Sequence, residues 1–317
     1  MNAPIDVGIM LEGQEGLTWE SFLRLAGAVE ELGFESLFRS DHLTALQGEP
    51  RRATLALWPA LTALALRTKR LRFGPLVCSM TFRQPALVAK LAADVAELSG
   101  GRLDLGIGAG WNANEHRMFG IPFPHYAVRL EMLDEAAQVI RALWAGGPTS
   151  FAGRHYSLVE AESYPLPAPQ PPPLIMGGSG QRTLQLVARH ATEWNCSYGS
   201  LAVFKEKSAA LGEACRAIGR DPASLRRSCM LPYVVGSDAA AIQRRIAAQR
   251  ATFPSLPSDL ASWTAAGFVG GSPEQVTEQL RVFAGAGCAR VMLQHNDLSD
   301  VASLELLAAE VLPRLTE

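Results

Sequence analysis

"RLDLGIGAGWNANEH" (residues 102–116) is the stretch on which the reading of the fold turns. Its first half alternates Leu103, Leu105 and Ile107 with other residues, the period of two that marks a strand. Glycines then stand at 106, 108 and 110, and Trp111, Asn112, Asn114, Glu115 and His116 follow at once. A strand that ends in bare backbone and passes directly to polar side chains has two readings. One is a tight turn; the other is a flat ligand that needs the main chain close by. The dinucleotide fingerprint G-x-G-x-x-G does not fit, because Trp111 occupies the place of its third glycine.

Outward from this stretch, short apolar runs alternate with runs of helical period. "IDVGIM" (5–10) reads as a strand. A helix follows, capped by Thr18, carrying Phe22, Leu25, Val29 and Leu32 on one face and stopped by Gly33. Strands are expected at 35–41, 71–79, 102–108, 173–178, 191–197, 227–236 and 289–295. Helices are expected at 52–68, 86–99, 128–144, 180–190, 202–218, 238–250, from Pro273, and over 300–315. Eight strands alternating with helices predict a parallel sheet with right-handed crossovers. Closure into a (β/α)8 TIM barrel, one domain over 1–317, is the leading reading, with an open doubly wound sheet as the alternative. Two insertions break the rhythm. Residues 147–173 are proline-rich and read as a loop with a hairpin at 150–158, and residues 252–272 form a second long segment. Insertions of this length often act as lids or binding loops. "SPEQ" (272–275) is a capping box with proline at the first helical position, a structural motif without chemistry.

Composition narrows the partners. The chain is 48% hydrophobic and 19% charged, enough for a large core, and its net charge of −2 comes without a long basic run. Nucleic acid and anionic membrane are therefore disfavoured, and a small-molecule substrate is favoured. Five cysteines, an odd number without a C-x-x-C pair, read as buried thiols in a reducing compartment. The start "MNAPIDVGIMLEG" lacks a basic, apolar leader, and no apolar run reaches the roughly 18–20 residues that cross a bilayer. The expectation is a soluble cytoplasmic protein.

In a barrel, chemistry gathers where strands end and helices begin. Asp41 and His42 follow the second strand, Trp111 to Glu115 the fourth, "GGSGQR" (177–182) the fifth, and His295 the eighth. Imidazole titrates near neutrality, which makes His42 a candidate acid or base. His295 is a weaker candidate, and His116, His125, His155 and His190 read as structural. Gly177, Gly178, Ser179 and Gly180 open a helix whose free N–H groups suit an anion, with Gln181 and Arg182 in its first turn; a plain glycine turn capped by Ser179 is the other reading. No H-x-H, H-E-x-x-H or G-x-S-x-G spacing occurs, so neither a catalytic metal nor a serine nucleophile is expected.

Five blocks together resemble the luciferase-like monooxygenase superfamily: "SDH" (40–42), residues 83–124, "FAGRHY" (151–156), residues 172–195 and "GSPEQVTEQL" (271–280). The tryptophan after the glycines, then Glu115-His116 and "GIPFP", resembles its branch of oxidoreductases that use the deazaflavin coenzyme F420. The resemblance implies a tricyclic ring across the barrel mouth, against main chain of Leu76, Val77 and Cys78 and near Gly110 and Trp111. A non-prolyl cis peptide near Leu76–Val77 belongs to the same expectation. It further implies coenzyme phosphate on Gly177 to Arg182, Asn114 bonding near the ring, His42 handling the substrate proton, and Asp41 orienting nearby groups and the coenzyme. Where a sugar-phosphate dehydrogenase branch has a glutamate, Trp111 stands here, which favours an apolar or planar substrate. The function implied is hydride transfer between F420 and a small organic substrate. An FMN-dependent monooxygenase and a non-catalytic flavin-binding protein are the alternatives, and a homodimer is expected.

Overall fold

Alternation along a strand sends successive side chains to opposite faces, and in a closed parallel sheet both faces must be covered. The computed structural model describes residues 5–47, 49 and 51–315. The ends of the expected domain, residues 1–4 and 316–317, lie outside them. Along the chain run β1 (Asp6–Leu11), α1 (Trp19–Glu31), β2 (Ser36–Arg39), α2 (Leu57–Arg67), β3 (Arg72–Pro75), β4 (Cys78–Ser79), α3 (Pro85–Ser99) and β5 (Leu105–Gly108). Then come α4 (Ala113–Met118), α5 (Tyr126–Trp144), β6 (Thr149–Ala152), β7 (Ser157–Ala161), β8 (Leu174–Gly177), α6 (Gln181–His190), β9 (Glu193–Ser197) and α7 (Leu201–Ala217). The last third holds β10 (Arg226–Val235), α8 (Ala239–Thr252), α9 (Leu260–Ala265), β11 (Val269–Gly271), α10 (Pro273–Gly285), β12 (Arg290–Gln294), α11 (Val301–Glu310) and α12 (Leu312–Leu315).

The strands pair in parallel in the order β3-β2-β1-β12-β10-β9-β8-β5-β4. Segments β3 and β4 share one place in the ring, separated by Leu76 and Val77, whose peptide bond is cis. A bridge from Phe73 to Leu103 joins the two edges, and the barrel closes. Counted by place, eight strands alternate with helices, as the hydrophobic rhythm predicts.

β12 shows how the interior is layered. Arg290, Met292 and Gln294 point inward, while Val291 and Leu293 join the outer core beneath the helices. At the floor, buried Arg290 donates to Asp104 at 3.0 Å and Glu35 at 2.8 Å, with Glu193 at 3.3 Å. Above it Met10, Phe38, Leu76, Ile175, Met230 and Met292 form an apolar plug. The top layer is polar and faces a cavity. A guanidinium ringed by carboxylates lies below and an apolar plug above it, and among the described residues the cavity lies beyond that plug.

Some boundaries differ from expectation for local reasons. The helix expected from 52 starts at Leu57, and just before it Arg39 takes the carbonyls of Leu55 and Ala56, at 2.6 and 3.2 Å. The terminal helix breaks at Val311, where Pro313 two residues on lacks an N–H. The hairpin lies at β6–β7, its turn held by Glu135, which accepts N–H bonds from Arg154, His155 and Tyr156 at 2.8–3.0 Å. Sequence periodicity missed α4, α9 and β11, all short. The insertion 252–272 packs Leu256 and Trp263 on Val234 of β10 and Ile242 and Ile246 of α8, a small second core. All five cysteines are buried and unbridged. Among the described residues no helix is long and apolar enough to cross a membrane.

Candidate functional site

The glycines of the opening stretch are needed first by the protein itself. A Cβ on Gly106 would stand 2.2 Å from the Pro75 carbonyl oxygen, and one on Gly108 2.5 Å from a Val77 methyl. Gly110, at φ +69, would strike the hydroxyls of Thr81 and Ser79 at 2.5 and 2.7 Å. The bare strand end therefore admits the neighbouring segment 75–81, and Leu76, Val77 and Ser79 of that segment then line a cavity together with Gly108 and Gly110.

That cavity measures about 730 Å³ and lies at the carboxyl ends of the barrel strands. Glu12 enters it after β1, Asp41 and His42 after β2, Trp111 and Asn112 after β5, Gly177 to Gly180 after β8, Tyr198 after β9, and Gln294 from the end of β12. Phe253, Ser255 and Leu256 of the second insertion close one side. Of the residues singled out in the sequence, Asp41, His42, Leu76, Val77, Gly110, Trp111, Gly177, Gly178, Ser179 and Gly180 are brought together here.

Four are not. Cys78 is wholly buried behind the wall, and burial pushes its thiol well above the ordinary range. Asn114 sits on the outer face of α4, donating to Met118 Sδ at 3.5 Å and accepting from Arg117 at 2.6 Å. Asn112 takes the inner place, its Oδ1 capping α4 through the N–H of Glu115 at 3.2 Å. Gln181 turns into a separate hollow between α6 and α7, and Arg182 is exposed. The geometric reason is the helix start: Gly180 is the N-cap of α6, so residues 181 and 182 already rotate away from the mouth.

His42 is held by a residue far along the chain. Its Nδ1 lies 2.9 Å from Glu115 Oε2, and the other carboxylate oxygen accepts the N–H of Leu43. The His42 side chain is 13% exposed and that of Glu115 fully buried. Burial pulls the imidazole downward, but the Glu115 hydrogen bond and the charges of Glu115, Glu12 and Asp41 outweigh it and hold the proton above the ordinary range. A carboxylate only accepts, so Nδ1 carries the hydrogen and Nε2 is the nitrogen left for a ligand. Trp111, 67% exposed, stands edge-on to the same ring at 5.6 Å.

Asp41 is buried and gripped at both oxygens by Arg83, with Nη2 to Oδ1 at 3.0 Å. It also accepts the N–H of Ser79 at 3.2 Å, which pins the segment after the cis bond. At the opposite end α6 begins without a side-chain cap at Gly180, which lines the cavity together with Gly178, Ser179 and Thr183. The hydroxyls of Tyr126 and Thr183 meet there at 3.0 Å. A helix start with two hydroxyls suits a phosphate; a wall thinned to glycine suits a planar group.

His116 and His295 are tied into the structure. His116 donates from Nδ1 to the Asn112 carbonyl and accepts from Thr81 at Nε2, both at 2.7 Å. His295 is buried, pushed down to about 4 by burial, and bonded to Tyr233 at 2.8 Å; it does not reach the cavity. Sequence reading missed Arg83, Tyr126, Thr183, Glu12, Tyr198 and Gln294. Only Tyr198 carried a local peculiarity, a left-handed backbone at φ +54, and that is visible only in three dimensions.

A sequence profile described as luciferase-like monooxygenase matches residues 1–290. An F420-dependent hydroxymycolic acid dehydrogenase of Mycobacterium tuberculosis is 33% identical over 236 residues, 74% of this chain and 64% of that protein. An F420-dependent glucose-6-phosphate dehydrogenase of Amycolatopsis mediterranei is 36% identical over 172 residues, 54% of this chain and 51% of that protein. The chain thus spans between half and two thirds of the length of these relatives. Among solved structures, an F420-dependent secondary alcohol dehydrogenase in complex with an F420-acetone adduct superimposes with a TM-score of 0.84 over all of both chains at 22% identity, a likeness of fold.

Proposed function

The chain belongs to the luciferase-like monooxygenase family, and from that premise we propose that it is an F420-dependent oxidoreductase acting on a small organic substrate at the open mouth of its barrel. The observation that carries the reading is one cavity that joins a glycine-thinned wall, an uncapped helix start and a histidine oriented by a buried carboxylate. The names of the two relatives support the choice of F420 within the family.

The residues present fit the coenzyme. A planar ring would rest on main chain at Leu76, Val77, Gly108 and Gly110. A phosphate would take the N–H groups at the start of α6, with the hydroxyls of Tyr126 and Thr183, and with Gly178 leaving room. When bound, the deazaflavin supplies two-electron hydride chemistry that the side chains lack.

The protein's own part is positioning and the proton. Nε2 of His42 takes a proton from a substrate hydroxyl, or returns it to a carbonyl, while Glu115 holds Nδ1–H and so fixes which nitrogen is free. Arg83 neutralises Asp41, and Asp41 in turn fixes Ser79 and the wall before it. Phe253 and Leu256 cover the side of the cavity and keep water from the reacting atoms.

Anaerobic titration of the protein with F420 and, separately, with FMN tests the reading. Saturable quenching by F420 and not FMN is expected, together with a His42→Ala variant that binds but does not turn over. Tight FMN binding without F420 binding overturns it.

A further inference from the structure

The lining of the cavity is one-sided in charge. Among the described residues it contains the carboxylates of Glu12, Glu15, Asp41 and Glu115, the imidazoles of His42 and His116, and no lysine or arginine. Three of the four are matched: Asp41 by Arg83, Glu115 by His42, and Glu15 by Arg52 at 3.5 Å and by the N–H groups of Leu46 and Gln47. Glu12 is different. It is half-buried and accepts from two carboxamides, Gln14 Nε2 at 2.9 Å and Gln294 Nε2, and among the described residues no cation stands within ion-pair distance of it.

The surroundings explain why that carboxylate faces the ligand. Arg39 is the buried cation behind it, but its guanidinium packs against Gly13 and is committed to the carbonyls of Ser40, Leu55 and Ala56. Gln294 donates one amide hydrogen to Glu12 and the other to Tyr198 Oη at 2.6 Å, so Tyr198 accepts there, and among the described residues its own hydrogen has no acceptor. Neutral amides fix the position of Glu12 without cancelling its charge. Half out of water, that charge acts more strongly than it would on an open surface. The exposed face of Trp111, with Phe253, adds an apolar ledge that tolerates a cation.

We propose that Glu12 is the specificity-determining residue of this cavity, accepting from a hydroxyl or ammonium group on an apolar substrate and turning away a phosphate or carboxylate placed against it. The inference rests on the cavity being the substrate site. It does not depend on which coenzyme binds there. A substrate anion placed against Glu12 meets a like charge, with His42 of the lining already paired to Glu115, and rejection of that kind is how specificity is often gained.

Three matched compounds test it: cyclohexanol, cyclohexylammonium and cyclohexanecarboxylate, each titrated by ligand-observed NMR against the protein with and without F420. The carboxylate is expected to bind at least tenfold more weakly than the ammonium, the alcohol falling between. Glu12→Gln, which removes the charge and keeps one of the two amide contacts, should bring the two ions within about threefold of each other, and Glu12→Lys should reverse their order. Should Glu12→Gln fail to fold, the native protein still decides: added salt should weaken the ammonium and spare the alcohol. Equal binding of the two ions by the native protein, no binding of any compound, or an unchanged ratio in Glu12→Gln overturns the proposal. Loss of F420 binding with the charge ranking intact would instead sink the redox reading and leave this one standing.

Discussion

Replacing Glu115 by glutamine separates shape from charge at His42. In the native pair the carboxylate accepts Nδ1–H at 2.9 Å and the N–H of Leu43. It thereby holds the neutral ring with its lone pair on Nε2 and steadies the charged ring against burial. Glutamine still accepts from Leu43, which leaves its NH2 group facing Nδ1. The ring must then accept at Nδ1 and carry its hydrogen on Nε2, so Nε2 can no longer take a proton. The charged ring also loses a charge-assisted bond of about 1.5–3 kcal/mol. Turnover at neutral pH should fall by roughly 10²–10⁴, the usual contribution of a general acid or base, while coenzyme binding persists. The sign of the stability effect follows from the raised proton affinity of folded His42. Its favourable contribution is complete below the ordinary value of 6.5 and is lost as pH rises through the folded value. Urea unfolding should therefore show Glu115→Gln destabilising the protein more at about pH 5.5 than at about pH 8, and an NMR titration of the His42 ring should move downward. Equal destabilisation at both pH values, or an unmoved titration, refutes the reasoning.

Arg83→Met strands the buried Asp41 carboxylate, and a loss of about 3–5 kcal/mol should appear in the urea midpoint at unchanged slope. Gly106→Ala brings a methyl to 2.2 Å from the Pro75 carbonyl oxygen; it should cost about 1–3 kcal/mol and weaken F420 binding. Its control, Gly27→Ala in open space on α1, should raise thermal stability by roughly 0.5–1 kcal/mol. Thr183→Val removes one hydroxyl of the pair at the start of α6, and fluorescence titration should show F420 affinity reduced roughly five- to tenfold, the worth of about one hydrogen bond.

The barrel was legible because its signals are local. Eight apolar runs, each followed by a helical period, specify the alternation, and the polar residues just past the strands point to the mouth. Asp41, His42 and Trp111 could be found that way because each lies within a few positions of a strand end. Arg83 could not, since it reaches Asp41 across 42 positions and its neighbours "FRQP" show no pattern. Glu115 was visible as a polar residue after the fourth strand, but its partner lies 73 positions earlier. Asn112 and Asn114 were separable only by the turn of α4, which aims one inward and the other at solvent. The glycines were read for a ligand and serve first the passage of Pro75 and Val77, a contact between strands that no single stretch reveals.

The insertion 252–272 carries a consequence for how such a protein diversifies. Its indole anchor, Trp263, and the residues packed on it form a nucleus apart from the main core, and Trp263 Nε1 is tied to the Val269 carbonyl at 2.9 Å. Leu256 belongs to that nucleus, Phe253 packs on it, and both line the cavity together with Ser255. A lineage could therefore rewrite Phe253 and Ser255 and acquire a new diet while Leu256, Trp263 and the cylinder beneath went on folding as before.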